Sequence, residues 1–247
     1  MAPEPFGLLL VCALLAEVLG TMAGFGAATV LTPVASLFLD IKTAVAVVAV
    51  FHLCGNASRI SFFHRHVNWR IVGRFGLVGV LCSLAGAQTA AWLPAAAIRT
   101  ALGLFLILFA LLEASRVTSL RVPATTRTLL LGGTASGFIA GLIGTGGAIR
   151  SVCLLAFGLP QEAYIGTSAV IALAVDATRV PVYLAQGFLP ASLIPVLLSL
   201  MGTAFCGAWI GQRWVRRVPP ARFKQVVLAM LFVMGWVLVW PRHEAHP

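Results

Sequence analysis

The chain has 247 residues, of which 60% are hydrophobic and 10% are charged, and its mean hydropathy is +1.00. A soluble domain is about a quarter charged, so this composition excludes an ordinary soluble enzyme, a disordered chain and a disulfide-stapled secreted module. The formal net charge is +10, but the basic residues cluster between apolar segments, which indicates the inner loops of a membrane protein rather than nucleic-acid binding.

The first half of the chain opens with an apolar segment, residues 5–23, followed by a glycine-rich break and the short apolar piece 27–39. No lysine or arginine precedes Phe6, so we expect this segment to be retained rather than removed as a signal peptide. A span needs about 20 apolar residues, and the short piece would cover only about 20 Å. Glycines interrupt helices through their backbone freedom, so we predict a re-entrant helical hairpin broken at its glycines. Three candidate spans follow, at residues 43–62, 71–92 and 95–114.

The second half has the same order. Residues 129–143 lead into Gly144-Thr145-Gly146-Gly147 and a short piece at 148–158, and the candidate spans are residues 163–184, 191–214 and 223–240. At a constant offset of 120, Gly24 and Gly26 fall on Gly144 and Gly146, and the NASR sequence at 56–59 falls on DATR at 176–179. The pattern predicts a duplication, with a first repeat at 1–115, a cytoplasmic linker at 116–127 and a second repeat at 128–247.

The basic loops predict how the halves are oriented. Residues 59–74 carry four arginines and two histidines, whereas the matching turn at 186–190 is uncharged. The next turn reverses this pattern, because 92–98 is uncharged and 213–224 carries five basic residues. All basic loops lie on one side if each half crosses the membrane an odd number of times, which makes the halves inverted; parallel halves would conflict with the charges.

The predicted fold class is therefore an all-α polytopic membrane protein with two inverted repeats, each a broken re-entrant helical hairpin plus three transmembrane helices. We expect it in the cytoplasmic membrane, with both termini outside.

The two glycine breaks are the candidate binding site. Helices starting at Ala27 and Ala148 would direct unpaired N–H groups and positive dipole ends toward the midplane, where an anion could bind. Thr145 would add a hydroxyl donor, and the dipole disfavours Arg150 near a helix N-terminus unless an anion lies between them. The alternatives are glycines that serve only close packing, and an Arg150 that pairs with Glu162 or snorkels.

A second set of polar residues lies inside the long spans. Asp176 and Arg179 are spaced to pair on one helix face, and Asn56 and Arg59 repeat the arrangement. Charged residues within spans usually face a polar interior, so we expect two gates on opposite sides of a central site. Asp176, interpreted as the only acid deep in a long span, is the candidate for proton coupling, and His52 is either a core histidine or a proton relay.

These motifs resemble the sulfite exporter TauE/SafE family of anion permeases. The best-matching stretches read GLIGTGG at 141–147 and IGTS at 165–168, and the resemblance covers nearly the whole chain. In the first half the break has fewer glycines, and Val47-Val48 replaces the Thr-Ser pair. The resemblance implies secondary transport of small sulfur-containing anions such as sulfite or organosulfonates.

The candidate site residues fall into two groups, and no catalytic residue, metal or cofactor is predicted. The substrate-binding group is Gly24, Phe25, Gly26, Gly144, Thr145, Gly146, Gly147, Arg150, Thr167 and Ser168. The gating or coupling group is Asn56, Arg59, Asp176, Arg179 and His52.

The expected partners are a small anion and the lipid bilayer, not nucleic acid, and a homo-oligomer is left open. The alternative classes are an intramembrane enzyme, for example one using Ser168 with His52, and a structural membrane subunit. The chain contains neither a GxxxxGK[ST] nor an HExxH motif, so an ATP-driven pump and a zinc protease are disfavoured.

The predicted topology can be checked with single cysteines at positions 66 and 187 in a background without the native cysteines. We expect a membrane-impermeant thiol reagent added outside intact cells to label position 187, because it lies in an uncharged outer turn. Position 66 lies in a basic inner loop and should not be labelled. Labelling of both positions from the same side would contradict the inverted arrangement.

Overall fold

A computed structural model describes residues 3–23, 26–115, 122–214 and 220–240 of the chain. These residues form helices and connecting turns, without a β-strand among them. In chain order the helices are α1 (Pro3–Ala23), α2 (Ala28–Ala35), α3 (Ile41–Phe63), α4 (Trp69–Trp92), α5 (Ala95–Ala114), α6 (Thr126–Ile143), α7 (Gly147–Leu155), α8 (Gln161–Ala185), α9 (Ile194–Trp214) and α10 (Pro220–Val239). The all-helical prediction is confirmed for this part of the chain.

Within the described residues, six helices are long and apolar enough to cross a membrane. Five of them coincide with predicted spans: α3, α4, α5, α8 and α9. The sixth is α6, at 18 residues, which the sequence assigns to the first limb of a hairpin. The predicted span at 223–240 corresponds to the 20-residue helix α10, whose described apolar part is Leu228–Val239. Length alone therefore allows α6 to cross the bilayer, and the re-entrant path stays a prediction.

The two short helices begin where the glycine breaks predict. Helix α2 starts at Ala28 and α7 at Gly147, each within one residue of the predicted start. Helices α3, α4 and α6 are capped by side-chain oxygens of Asp40, Asn68 and Thr125. The residues before α2 and α7 are Ala27 and Gly146, which provide no side-chain hydrogen bond. The first-turn N–H groups of α2 and α7 are thus left without the usual cap.

The helices recur in the same order in both halves, and they pack mainly across the halves. Helix α1 packs on α9 just as α6 packs on α4, and α3 contacts α8 while α5 contacts α10. Each of the helices α1 to α5 therefore packs against a helix of the second half. The short helices α2 and α7 follow α1 and α6. Together with the central α3–α8 pair, they place the two glycine breaks in the interior of the protein.

Glycines allow α4 and α6 to approach each other closely. A Cβ on Gly137 would lie 2.1 Å from the carbonyl oxygen of Gly79, and one on Gly141 would lie 2.1 Å from that of Ser83. A Cβ atom cannot approach a carbonyl oxygen so closely, so the backbones of α4 and α6 pack directly against each other at these glycines. The small residues at these positions therefore serve helix packing.

Apolar side chains cover the surface of this protein as well as filling its core. Large apolar side chains are exposed at helical spacing, for example Leu77, Leu81 and Leu84 on α4 and Leu104 and Leu108 on α5. Such continuous apolar stripes require a covering surface, which for helices of this length is lipid. The mainly apolar interior also contains buried acids, arginines, a histidine and hydroxyl residues.

A matched pair of glycine substitutions tests the packing. Gly137→Ala is expected to lower stability by about 1–3 kcal/mol, because its methyl group would overlap the α4 backbone. Gly202→Ala on α9 adds the same methyl group where nothing lies within 4 Å, so it should leave stability unchanged or slightly raised. Thermal melts of the purified protein in detergent measure the difference, and equal melting temperatures would contradict the close contact.

Candidate functional site

The two breaks meet at the centre of the structure. Thr29, in the first turn of α2, and Thr145, in the second break, share a hydrogen bond of 2.8 Å between their hydroxyl oxygens, and both side chains are buried. Gly26 and Gly144 have φ angles of 88° and 84°, a left-handed conformation that glycine adopts without strain. The uncapped starts of α2 and α7 are therefore neighbours.

The two breaks are not copies of each other in detail. The offset of 120 aligns Gly26 with Gly146, but Gly146 has a φ of −118°. Gly146 lies against Ser136, whose hydroxyl donates to the Gly146 carbonyl at 2.8 Å, and a Cβ at this position would lie 2.1 Å from the Ser136 carbonyl oxygen. A Cβ on Gly144 would lie 3.1 Å from the methyl carbons of Val45. In the second break the close contacts of these two glycines are with protein, so for them the packing interpretation is the better supported one.

Arg150 is the buried cation of the site. It lies on α7, and its Nε donates to the Ser168 hydroxyl on α8 at 2.9 Å. Its Nη2 lies 3.6 Å from the place a Cβ on Gly26 would occupy, so the guanidinium bridges α7, α8 and the first break. Among the described residues no carboxylate lies within 4.0 Å of this guanidinium.

The predicted alternatives for Arg150 are therefore wrong. Glu162 lies with its carboxylate 3.2 Å from His66 Nε2, in a partly exposed contact near the start of α8. Snorkelling requires the charged head to reach the surface, whereas Arg150 is only 4% exposed.

His52 faces the same break from α3. Its Nδ1 lies 2.8 Å from Asp176 Oδ2 on α8, and both side chains are buried. Its Nε2 is buried without a hydrogen-bond partner among the described residues. A Cβ on Gly26 would lie 2.7 Å from this nitrogen, so only glycine leaves room in front of it. His52 Nε2, the Arg150 guanidinium and Gly26 thus surround one point.

The polar residues of α3 and α8 form one continuous network. Arg179 Nε donates to Asp176 Oδ1 at 2.9 Å and its Nη2 lies 2.7 Å from the same oxygen, and Arg59 Nη1 donates to Asn56 Oδ1 at 2.8 Å. Asn56 Nδ2 in turn donates to Asp176 Oδ2 at 3.2 Å. Both i, i+3 pairings agree with the predicted spacing. The equivalent residues Asn56 and Asp176 contact each other, so the two sets meet at one junction, and their role as gates on opposite sides of a central site stays a prediction.

The arginines extend from this junction to different helices. Arg179 Nη1 donates to the Ala140 carbonyl at 2.5 Å, next to the second break on α6. Arg59 reaches α1, where its Nε donates to Thr21 Oγ1 at 3.0 Å and its Nη2 donates to the carboxylate of Glu17. The network therefore joins four helices: α1, α3, α6 and α8.

Glu17 is the residue that the sequence interpretation missed. It is fully buried on α1, and a Cβ on Gly55 would lie 2.5 Å from its Oε1, so Gly55 makes room for the carboxylate. Asp176 is thus not the only deeply buried acid, although Glu17 lies on α1, outside the predicted long spans. The available signal was a single acid in the middle of the apolar segment 6–22.

The remaining predicted residues are placed as follows. Thr167 is buried but accepts a hydrogen bond from the Asn68 backbone N–H at 2.9 Å, at the start of α4 rather than beside Arg150. Gly147 is buried as the first residue of α7. Gly24 and Phe25 lie outside the described residues.

The cluster has neither a metal set nor an activated nucleophile in the described part of the chain. No group of three His, Cys, Asp or Glu side chains is positioned there to hold a metal ion. Ser168 is hydrogen-bonded to Arg150, and His52 Nε2 does not contact it. Serine catalysis requires a hydrogen bond between nucleophile and base, so this pair lacks the arrangement of a hydrolase.

Comparison with known protein families assigns residues 9–238 to one of them, Sulfite exporter TauE/SafE. No curated protein matches the chain. The match includes both glycine breaks, all of the central α3–α8 network and the helices that pack around it. The chain belongs to the sulfite exporter TauE/SafE family.

Proposed function

We propose that the chain carries a small sulfur-containing oxyanion, such as sulfite or an organosulfonate, across the cytoplasmic membrane, and binds it between Arg150, His52 and the break at Gly26. The family is one of anion transporters, and the chain has the apolar helices of a multi-pass membrane protein. Substrate, binding mode and membrane are our proposals.

The observation that carries this proposal is the charge balance of the interior. In the described part of the chain, the buried carboxylates and guanidiniums are Glu17, Asp176, Arg59, Arg150 and Arg179. Two acids each pair with one arginine, so the third arginine is left over. A buried unpaired cation is costly, and a bound anion at Arg150 would compensate it.

The surrounding donors suit an oxyanion with several oxygens. A guanidinium presents parallel N–H groups that match the edge of such an anion. The uncapped N-terminus of α7 adds backbone N–H groups and the positive end of a helix dipole. Ser168 holds Arg150 through Nε, which leaves the terminal nitrogens of the guanidinium to face Gly26. These donors would replace the water that a desolvated anion loses.

The α3–α8 network is the proposed gate. Asn56 and Asp176 close the contact between the halves, and Arg59 and Arg179 anchor that contact to α1 and α6. Inverted repeats would let the two halves exchange conformations about this junction, exposing the site first to one side and then to the other. Re-entrant hairpins, cytoplasmic basic loops and external termini complete the proposed arrangement.

The first test removes the charge of Arg150. Arg150→Gln is expected to lower sulfite flux in reconstituted vesicles by about a hundredfold or more, because the desolvated anion loses its ionic partner. The control is Arg65→Gln, which removes the same charge from the exposed turn after α3 and should leave the flux unchanged. Unchanged flux in Arg150→Gln, with the protein still folded, would contradict the proposed site.

The second test fills the space in front of His52. Gly26→Ala is expected to abolish flux, because its methyl group would occupy the point between His52 Nε2 and Arg150. The same substitution at Gly187 controls for backbone strain, since that glycine has a φ of 72° and nothing within 4 Å. Both variants carry a strain of about 1–2 kcal/mol. Equal flux in the two variants would show that the space at Gly26 is not used by substrate.

A further inference from the structure

We propose that His52 Nε2 is a proton site and that each anion crosses the membrane together with a proton bound there. This inference rests on the proposed anion site and adds its coupling ion. The group is defined by geometry: His52 Nε2 is buried without a hydrogen-bond partner among the described residues, and it faces the break at Gly26.

Asp176 determines which nitrogen of His52 takes up the proton. Its Oδ2 accepts from Nδ1, so Nδ1 already carries a hydrogen and a further proton can be added only at Nε2. Asp176 itself is poorly suited to carry the proton. Its two oxygens accept from Arg179, Asn56 and His52, and protonation would break one of these contacts. Within the predicted coupling group, Asp176 therefore holds the His52 ring in position, and His52 binds and releases the proton.

The charges around His52 make proton and anion binding interdependent. They are Arg59 on its own helix, Glu17 on α1, Asp176 and Arg179 on α8, and Arg150 across the Gly26 break. Both acids are neutralised by arginines, so the unbalanced neighbour is the Arg150 cation. A protonated His52 is repelled by Arg150 when the site is empty and attracted to an anion between them. The anion favours the proton, and the proton favours the anion to the same extent.

The transport step then balances without a change in covalent bonds or oxidation state. Nε2 takes a proton from water on the side where the anion enters, and the anion binds between the Nε2–H group and the Arg150 guanidinium. After the site opens to the other side, the anion leaves and Nε2 returns its proton to water there. One proton and one anion have moved in the same direction.

The test uses vesicles that contain a trapped pH-sensitive dye and the reconstituted full chain, with an imposed sulfite gradient. Wild-type protein should move protons in the direction of sulfite, above the level of protein-free vesicles. His52→Gln keeps an N–H donor near the position of Nε2 but cannot bind a proton. We expect a reduced sulfite flux, because His52 also lines the proposed site, while the number of protons moved per sulfite falls to the protein-free level. His64→Gln, an exposed histidine after α3, should change neither.

A second measurement needs no variant. Calorimetric titration of wild-type protein with sulfite, in buffers of different ionisation enthalpy, should show proton uptake on binding and an affinity that falls as the pH rises.

The outcomes separate the two proposals. Absence of any protein-dependent sulfite flux in wild type would overturn the proposed function itself. Sulfite flux without proton movement in wild type, or proton movement that persists in His52→Gln, would overturn only the coupling role of His52. Binding without proton uptake would do the same.

Discussion

One carboxylate, that of Asp176, holds together the polar interior of this membrane protein. It accepts hydrogen bonds from Arg179 on its own helix and from His52 and Asn56 on α3. No water in the hydrocarbon region can satisfy a stray polar group, so each donor or acceptor must find its partner within the protein. Asn56 therefore continues the network to Arg59, and Arg59 continues it to Glu17 on α1.

The groups left out of this network define the site. Among the described residues, Arg150 has a hydroxyl partner but no carboxylate within 4.0 Å, His52 has one ring nitrogen without a hydrogen-bond partner, and α7 begins without a capping side chain. Each feature alone is compatible with imperfect packing. Arg150 and His52 converge in front of Gly26, where the proposed anion would contact both. The guanidinium and the start of α7 favour negative charge as they stand, whereas His52 Nε2 can donate to an anion only once it is protonated.

The glycines have two different uses in this structure, and their surroundings distinguish them. Gly137 and Gly141 lie against the α4 backbone, and Gly146 lies against Ser136, so these three permit close packing. Gly26 instead lies in front of a histidine nitrogen and a guanidinium. Sequence spacing treats Gly26 and Gly146 as equivalent. The structure separates them, because the two glycines have different backbone angles and different side-chain neighbours.

Hydropathy and glycine placement determined the helical class, five of six apolar spans and the starts of α2 and α7, because these features depend on local composition and on contact with lipid. The sequence alone also determined the pairing of Asp176 with Arg179, which lie one turn apart on a single helix. Only the tertiary structure decided that Asn56 and Asp176 touch, that Glu17 neutralises Arg59 and that Arg150 stays apart from Glu162. These contacts join residues far apart in the chain, and they depend on how each helix is rotated about its axis. When a helix is apolar on most of its surface, neither its composition nor its hydrophobic periodicity shows which face is turned toward the neighbouring helices.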